Sequence, residues 1–131
     1  MPRALQLAIS TKRYALTRLS LGTTDPDWVR GDFAAVVRSR EGITVVCEEA
    51  FVPEGVETCH GYRCIEITGS FEITSVGVLA AVVQPLAEGG ISLFAYSTWE
   101  TDYIFVQQSN LERGLALLSA AGHAISRQNS G

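Results

Sequence analysis

The stretch that most constrains this chain is Thr74 to Gln107, TSVGVLAAVVQPLAEGGISLFAYSTWETDYIFVQ. It reads as a helix, a strand, a short polar turn and a second strand. Val76, Leu79, Val82, Val83 and Leu86 recur at three- and four-residue spacing, which predicts an amphipathic helix over 75–88. Pro85 lacks an N–H and is expected to bend that helix or loosen its last turns. Gly89-Gly90 should end it. Ile91 to Tyr96 is short and apolar, as in a strand buried on both faces. Ser97 to Asp102 is the polar turn, and Tyr103 to Val106 its partner strand.

Other elements extend this order on both sides. Tyr62 to Gly69 carries Cys64, Ile65 and Ile67 in a strand pattern. Ser109-Asn110-Leu111-Glu112 has the S-x-x-E form of a capping box. Leu111, Leu115 and Leu118 then stripe a second helix that Gly122 ends, and His123 to Ser126 can form a last strand. The second half thus reads β (62–69), α (75–88), β (91–97), β (102–107), α (110–121), β (123–126). That is the α+β, ferredoxin-like βαββαβ order.

The first half is richer in strands. Leu5, Leu7 and Ile9 alternate with polar or small residues, Thr11-Lys12-Arg13 breaks the pattern, and Tyr14 to Leu21 resumes it, which predicts a first hairpin. Asp25-Pro26-Asp27-Trp28 resembles a capped helical turn that Gly31 stops, with Trp28 as a lid on the core or a stacking surface for a ligand. Phe33–Val37 and Ile43–Cys47, joined by 38–42, form a second hairpin. Glu48 to Glu57 is a polar connection. The expected division is a degenerate or accessory β-rich unit over 1–60 and a βαββαβ unit over 61–131.

The chain has 131 residues, 47% of them hydrophobic and 18% charged, enough for a core. Its formal net charge is −4 and its densest basic cluster is Lys12-Arg13, which disfavours nucleic acid as a partner. No apolar run approaches the roughly 20 residues of a membrane span. The opening MPRALQLAIS is too short an apolar patch, and too soon followed by Lys12-Arg13, for a secretion signal, so a cytoplasmic location is expected. Cys47, Cys59 and Cys64 are odd in number and lack C-x-x-C spacing, which argues for reduced structural thiols. Cys59, His60 and Cys64 offer three metal ligands without a clear fourth, so neither a metal nor a cofactor is expected.

Ser75-Val76-Gly77 at a helix start and Ser97, Thr98, Thr101 and Asp102 in the turn suit a small polar ligand. Free N–H groups and the positive dipole end of a helix attract an anion, and a nearby carboxylate prefers a cation. A zwitterion satisfies both. The same residues have structural uses: Ser75 as a cap, Asp102 as a brace of the turn.

The run from Ser75 to Val106 resembles the ACT domain, a small regulatory module that binds amino acids. More narrowly it is similar to tandem ACT-like proteins related to cytosolic arginine sensors and aspartokinase regulatory domains. The resemblance rests on Val76-Gly77-Val78-Leu79, Pro85-Leu86-Ala87, Gly90-Ile91-Ser92-Leu93 and Tyr96 through Tyr103. It covers about the second half, and the first half lacks a helix of the same kind. It implies βαββαβ units, dimerisation, and a ligand held between the helix start (Ser75, Val76, Gly77) and the turn (Ser97, Thr98, Thr101, Asp102). Where one chain lacks the second side of such a site, a dimer partner supplies it.

No G-x-S-x-G, P-loop or H-E-x-x-H occurs, His60 and His123 are the two histidines, and Glu48-Glu49 reads as a solvated edge. Three functions remain: a non-catalytic sensor or regulatory subunit for an amino acid, a ligand-free homodimerisation or docking module for a partner enzyme, and a small enzyme using Cys59 or His60. The first is expected.

Overall fold

The structure is a computed structural model that describes residues 4–69 and 76–127. Its strands are β1 (Gln6–Leu19), β2 (Ala35–Ser39), β3 (Gly42–Glu48), β4 (Glu57–Thr68), β5 (Leu93–Ser97), β6 (Asp102–Gln107) and β7 (Ala124–Arg127). Its helices are α1 (Val78–Glu88) and α2 (Leu111–Ala120). The chain divides into two compact units. One holds Lys12–Tyr62; the other holds the described residues up to Thr11 and from Arg63 onward.

The larger unit carries the βαββαβ order from β4 to β7, with one strand added. Its strand order is β7-β1-β4-β6-β5, so the first part of β1 lies between β7 and β4. β1 runs parallel to β7 from Gln6↔Ala124 to Ile9↔Arg127. This added strand is why the first residues belong with the C-terminal half, whereas the sequence reading had placed them in a unit over 1–60. β5 and β6 pair antiparallel from Leu93↔Val106 to Ser97↔Asp102.

The core of this unit joins Leu7 and Ile9 of β1, Ile65 and Ile67 of β4, Ile104 and Val106 of β6, and stripes from both helices. On α1 the buried stripe is Val78, Val82 and Leu86, spaced by four. The expected stripe had begun at Val76, but the helix starts only after Gly77, and Val76 is 88% exposed. On α2 Leu111, Leu115 and Leu118 are buried as expected. Gly114 is buried beside them, where a Cβ would sit 3.3 Å from Leu86 Cδ2 and 3.4 Å from Ile91 Cδ1, so the glycine lets the two helices close up.

Both helices end alike. Ile91 N–H donates to Leu86 C=O and Gly90 N–H to Ala87 C=O; His123 N–H donates to Leu118 C=O and Gly122 N–H to Ser119 C=O. These are Schellman closures, with Gly90 (φ 76°) and Gly122 (φ 99°) in the left-handed turn they require. The start of α2 departs from the capping-box expectation. A 3-10 turn over Gln108–Asn110 absorbs Ser109, and Asn110 precedes the helix without a side-chain cap. Glu112 instead accepts two 2.8 Å hydrogen bonds from Arg127 Nη2.

The smaller unit pairs β1 with β3 antiparallel (Tyr14↔Glu48 to Leu19↔Ile43) and β3 with β2 (Ala35↔Val46 to Ser39↔Gly42). The second hairpin is therefore present, with a two-residue turn, Arg40-Glu41. The first is not: β1 continues through Thr11-Lys12-Arg13. Those residues include neither glycine nor proline, and polar side chains pointing outward are compatible with a strand. Asp27-Trp28 forms only a turn. Trp28 and Val29 pack onto Ile43, Val45 and Cys47, as a lid on the core would.

Candidate functional site

α1 begins after Gly77, whose φ of 84° is left-handed and readily taken only by glycine. Gly77 C=O accepts from Ala81 N–H at 3.0 Å, closing the first turn. Among the described residues no side chain caps this end, and a Cβ on Gly77 would meet nothing within 4 Å. The helix is eleven residues long, and its opening N–H groups have no partner within the helix. Val76 is exposed beside it, and Ser75 lies outside the described residues.

The other four expected residues come together in the β5–β6 turn. Ser97 and Asp102 are register partners, and Ser97 Oγ donates to Asp102 Oδ1. Thr98 N–H donates to Thr101 C=O at 2.8 Å, and the Thr98 hydroxyl both donates to that carbonyl (3.0 Å) and accepts from Thr101 N–H (3.2 Å). Thr101 Oγ1 donates to Ile67 C=O at 2.5 Å, tying the turn to β4. The turn is internally braced, yet the Asp102 carboxylate keeps acceptor capacity, since one hydroxyl occupies one of about four lone-pair directions.

Aromatic rings line the face of β5 and β6 opposite the helices. Phe94 stacks on Phe105 at 4.9 Å, and Tyr96 meets Phe105 edge-on at 6.4 Å. Tyr96 lies opposite Tyr103, one step before the Ser97–Asp102 pair. Burial raises both phenols' pKa, and for Tyr103 the negative charges of Glu66 and Glu100 add to it. Trp99 stands 77% exposed at the turn's tip. The strict alternation L-F-A-Y-S was the available signal for this ring face, and the emphasis on polar residues passed over it.

A long-range clamp supports α1. Pro85 has no N–H to give Ala81 C=O, its i−4 carbonyl. His123 Nε2 lies 2.8 Å from that carbonyl oxygen and supplies the missing hydrogen bond. Nδ1 of the same ring accepts from Leu5 N–H at 3.0 Å, and the next residue, Ala124, donates its N–H to Leu5 C=O at 2.9 Å. The carbonyl needs a donor and the Leu5 amide an acceptor, so the ring is the neutral Nε2–H tautomer. α1 also runs past Pro85 to Glu88 rather than loosening.

In the smaller unit, Cys59 and His60 lie on β4. His60 Nδ1 is 3.5 Å from Glu49 Oε2, which also accepts from Gly61 N–H at 2.7 Å. Glu48 is 7% exposed and is no solvated edge. Its Oε2 accepts from Asp32 N–H at 2.8 Å, and Lys12 Nζ reaches both Glu48 and Asp32 at 3.3 Å. These hydrogen bonds hold the Lys12 ammonium above its ordinary pKa. Among the described residues no group of three or more His, Cys, Asp or Glu side chains is arranged to hold a metal ion, and no helix is long and apolar enough to cross a membrane.

No curated protein matches the chain. Among solved structures, a protein from Agobacterium tumefaciens superposes with a TM-score of 0.91 at 29% identity, covering 97% of this chain and 96% of its own. A Vibrio cholerae protein of unknown function, described as a possible transport protein, follows at 0.73 and 25% identity, covering 91% of each chain. The ligand-free regulatory subunit of aspartate kinase from Thermus thermophilus shares the fold at 0.64 and 14% identity, covering 91% of this chain and 98% of its own. Residues 57–120 match the ACT domain family model, so with the βαββαβ order above, this chain carries an ACT domain over that segment.

Proposed function

We propose that the chain is a non-catalytic sensor or regulatory protein that binds a free amino acid through its ACT domain. The observation that carries this is the ACT match over 57–120, on a fold whose α1 start has no side-chain cap among the described residues. The likeness to an aspartate kinase regulatory subunit supports the regulatory role. In this reading the backbone of Ser75, Val76 and Gly77 and the first N–H groups of α1 receive the ligand carboxylate. Asp102, with Ser97, Thr98 and Thr101, receives its ammonium group. A cytoplasmic homodimer completes the proposal, the second copy covering sheet edges that one chain leaves unpaired.

A second reading has one observation in its favour. Val76 and Trp99, both large and apolar, are among the most exposed side chains, and both adjoin the expected ligand residues. A module that docks on a partner enzyme without a ligand would present such a surface.

A thermal-shift screen against the twenty amino acids separates the two. A ligand at about 100 times its dissociation constant adds roughly 2.7 kcal/mol, a shift of several degrees. Asp102→Asn keeps a hydrogen-bond acceptor for Ser97 and removes the charge, so it should abolish the shift and leave the fold intact. A shift that survives Asp102→Asn would sink the assignment of the ammonium site. No shift with any amino acid would favour the docking role.

A further inference from the structure

We infer that the smaller unit holds a second binding site, for a small zwitterion of amino-acid to dipeptide size, in a cavity between β1, the β2–β3 turn and the start of β4. The cavity measures about 480 Å³, within the range of small-molecule pockets. All of its lining residues lie in the Lys12–Tyr62 unit, so it is separate from the β5–β6 turn.

Its chemistry is mixed in a specific way. Leu16, on the same face of β1 as Arg18, supplies apolar surface, while Ile43 borders the cavity but is buried in the core of the unit. Arg18 and Glu57 both line it, and among the described residues neither side chain has a hydrogen-bond or ion-pair partner. Arg18 lies opposite Thr44 in the β1–β3 register, which puts a hydroxyl on the same face as the guanidinium. Glu41, also in the lining, is already joined to Ser39 Oγ at 3.2 Å. A simple anion would meet Arg18 but also the two carboxylates. A simple cation would meet the carboxylates but also Arg18. A molecule bearing both charges offers its carboxylate to Arg18 and its ammonium to Glu57.

Cys59 lines the same cavity and is a free, exposed thiol. The other two cysteines are buried, and burial pushes their thiols up to about 11 (Cys47) and about 12 (Cys64). In the folded protein at neutral pH, iodoacetamide should therefore modify Cys59 selectively.

That selectivity provides the test. Cys59 alkylation is followed by mass spectrometry in the presence of each of the twenty amino acids, glycylglycine, acetate or ethylammonium. An occupant present at about ten times its dissociation constant lowers the labelling rate about tenfold. At least one zwitterion should protect Cys59, while acetate and ethylammonium do not. Protection should disappear in Arg18→Ala and in Glu57→Gln, both surface changes, and should persist in Asp102→Asn. The inference is overturned if no zwitterion protects, if acetate or ethylammonium protects equally, or if protection survives both cavity variants. Loss of protection in Asp102→Asn would overturn it as well, because the effect would then come from the turn. A thermal shift that survives Asp102→Asn and disappears in Arg18→Ala would refute the turn site alone.

Discussion

The clamp made by His123 predicts a measurable coupling between two residues 38 positions apart in sequence, His123 and Pro85 (123 − 85). His123→Ala removes the acceptor of the buried Leu5 N–H and the donor to the part-buried Ala81 C=O. A buried polar group left unsatisfied costs about 1–3 kcal/mol, so the two together cost about 2–6 kcal/mol. That is a large share of the roughly 5–15 kcal/mol stability of a domain, and the alanine variant is expected to be marginal. His123→Asn is the gentler probe. An asparagine carboxamide oxygen can stand near the Nδ1 position and still accept from Leu5, so only the bond to Ala81 is lost, at about 1 kcal/mol or somewhat more. Pro85→Ala restores an N–H at the position that should serve Ala81 C=O. In the parent chain this relieves the general cost of proline in a helix, about 3 kcal/mol at most. In the His123→Asn background it should gain a further ~1 kcal/mol by satisfying the orphaned carbonyl. Urea unfolding followed by circular dichroism, on the four proteins of the cycle, measures this. Additivity within about 0.5 kcal/mol would refute the claim that the ring replaces the proline's missing donor.

Three further outcomes are expected. Gly31→Ala forces a Cβ to within 2.1 Å of Glu48 Oε2 at a residue with φ 108°, so it should destabilise by about 1–3 kcal/mol in chemical denaturation, and a neutral result would mean that the Glu48–Asp32 contact is not formed. Thr101→Val removes the hydroxyl that ties the turn to Ile67 C=O and should cost about 0.5–1.5 kcal/mol with no ligand present, whereas an unchanged midpoint would leave Thr101 with a ligand-facing role alone. The buried thiols make the fold alkali-sensitive. With folded values of about 11 for Cys47 and about 12 for Cys64 against an ordinary value of 9.0, the unfolded chain releases these protons first as pH rises. Stability is full below pH 9 and falls through about pH 11–12. Cys64→Ala should make melting temperature less steep in pH over that window, and an identical slope would count against the burial.

The readable parts of this chain were those where local pattern and tertiary environment agree. Leu111, Leu115 and Leu118 fell on the buried face of α2, and Gly122 ended it, because the spacing and the left-handed closure are local properties of the sequence. The Ile43–Cys47 hairpin was legible for the same reason. Errors came where one element borrows its partner from far away. Ser109-x-x-Glu112 looks like a cap, yet Arg127, fifteen residues on, engages Glu112 instead. Thr11-Lys12-Arg13 looks like a turn, but Lys12 has Glu48 and Asp32 as partners and the strand runs straight on. Pro85 looks like a helix breaker until His123 supplies its missing donor.

The candidate site shows the same division more sharply. Ser97, Thr98, Thr101 and Asp102 were recognisable as a polar cluster between two strands, and the register confirms that Ser97 faces Asp102. What composition could not convey is that all four of these groups already bond to one another or to the backbone, and that Thr101 reaches back to β4. A turn so braced is rigid before any ligand arrives, which lowers the ordering cost of binding. It also leaves the Asp102 carboxylate with spare acceptor capacity. In the proposed recognition the Asp102 carboxylate carries the ammonium half, and the N–H groups at the start of α1 carry the carboxylate half. Neither half requires the other for folding, so a variant at Asp102 separates recognition from stability.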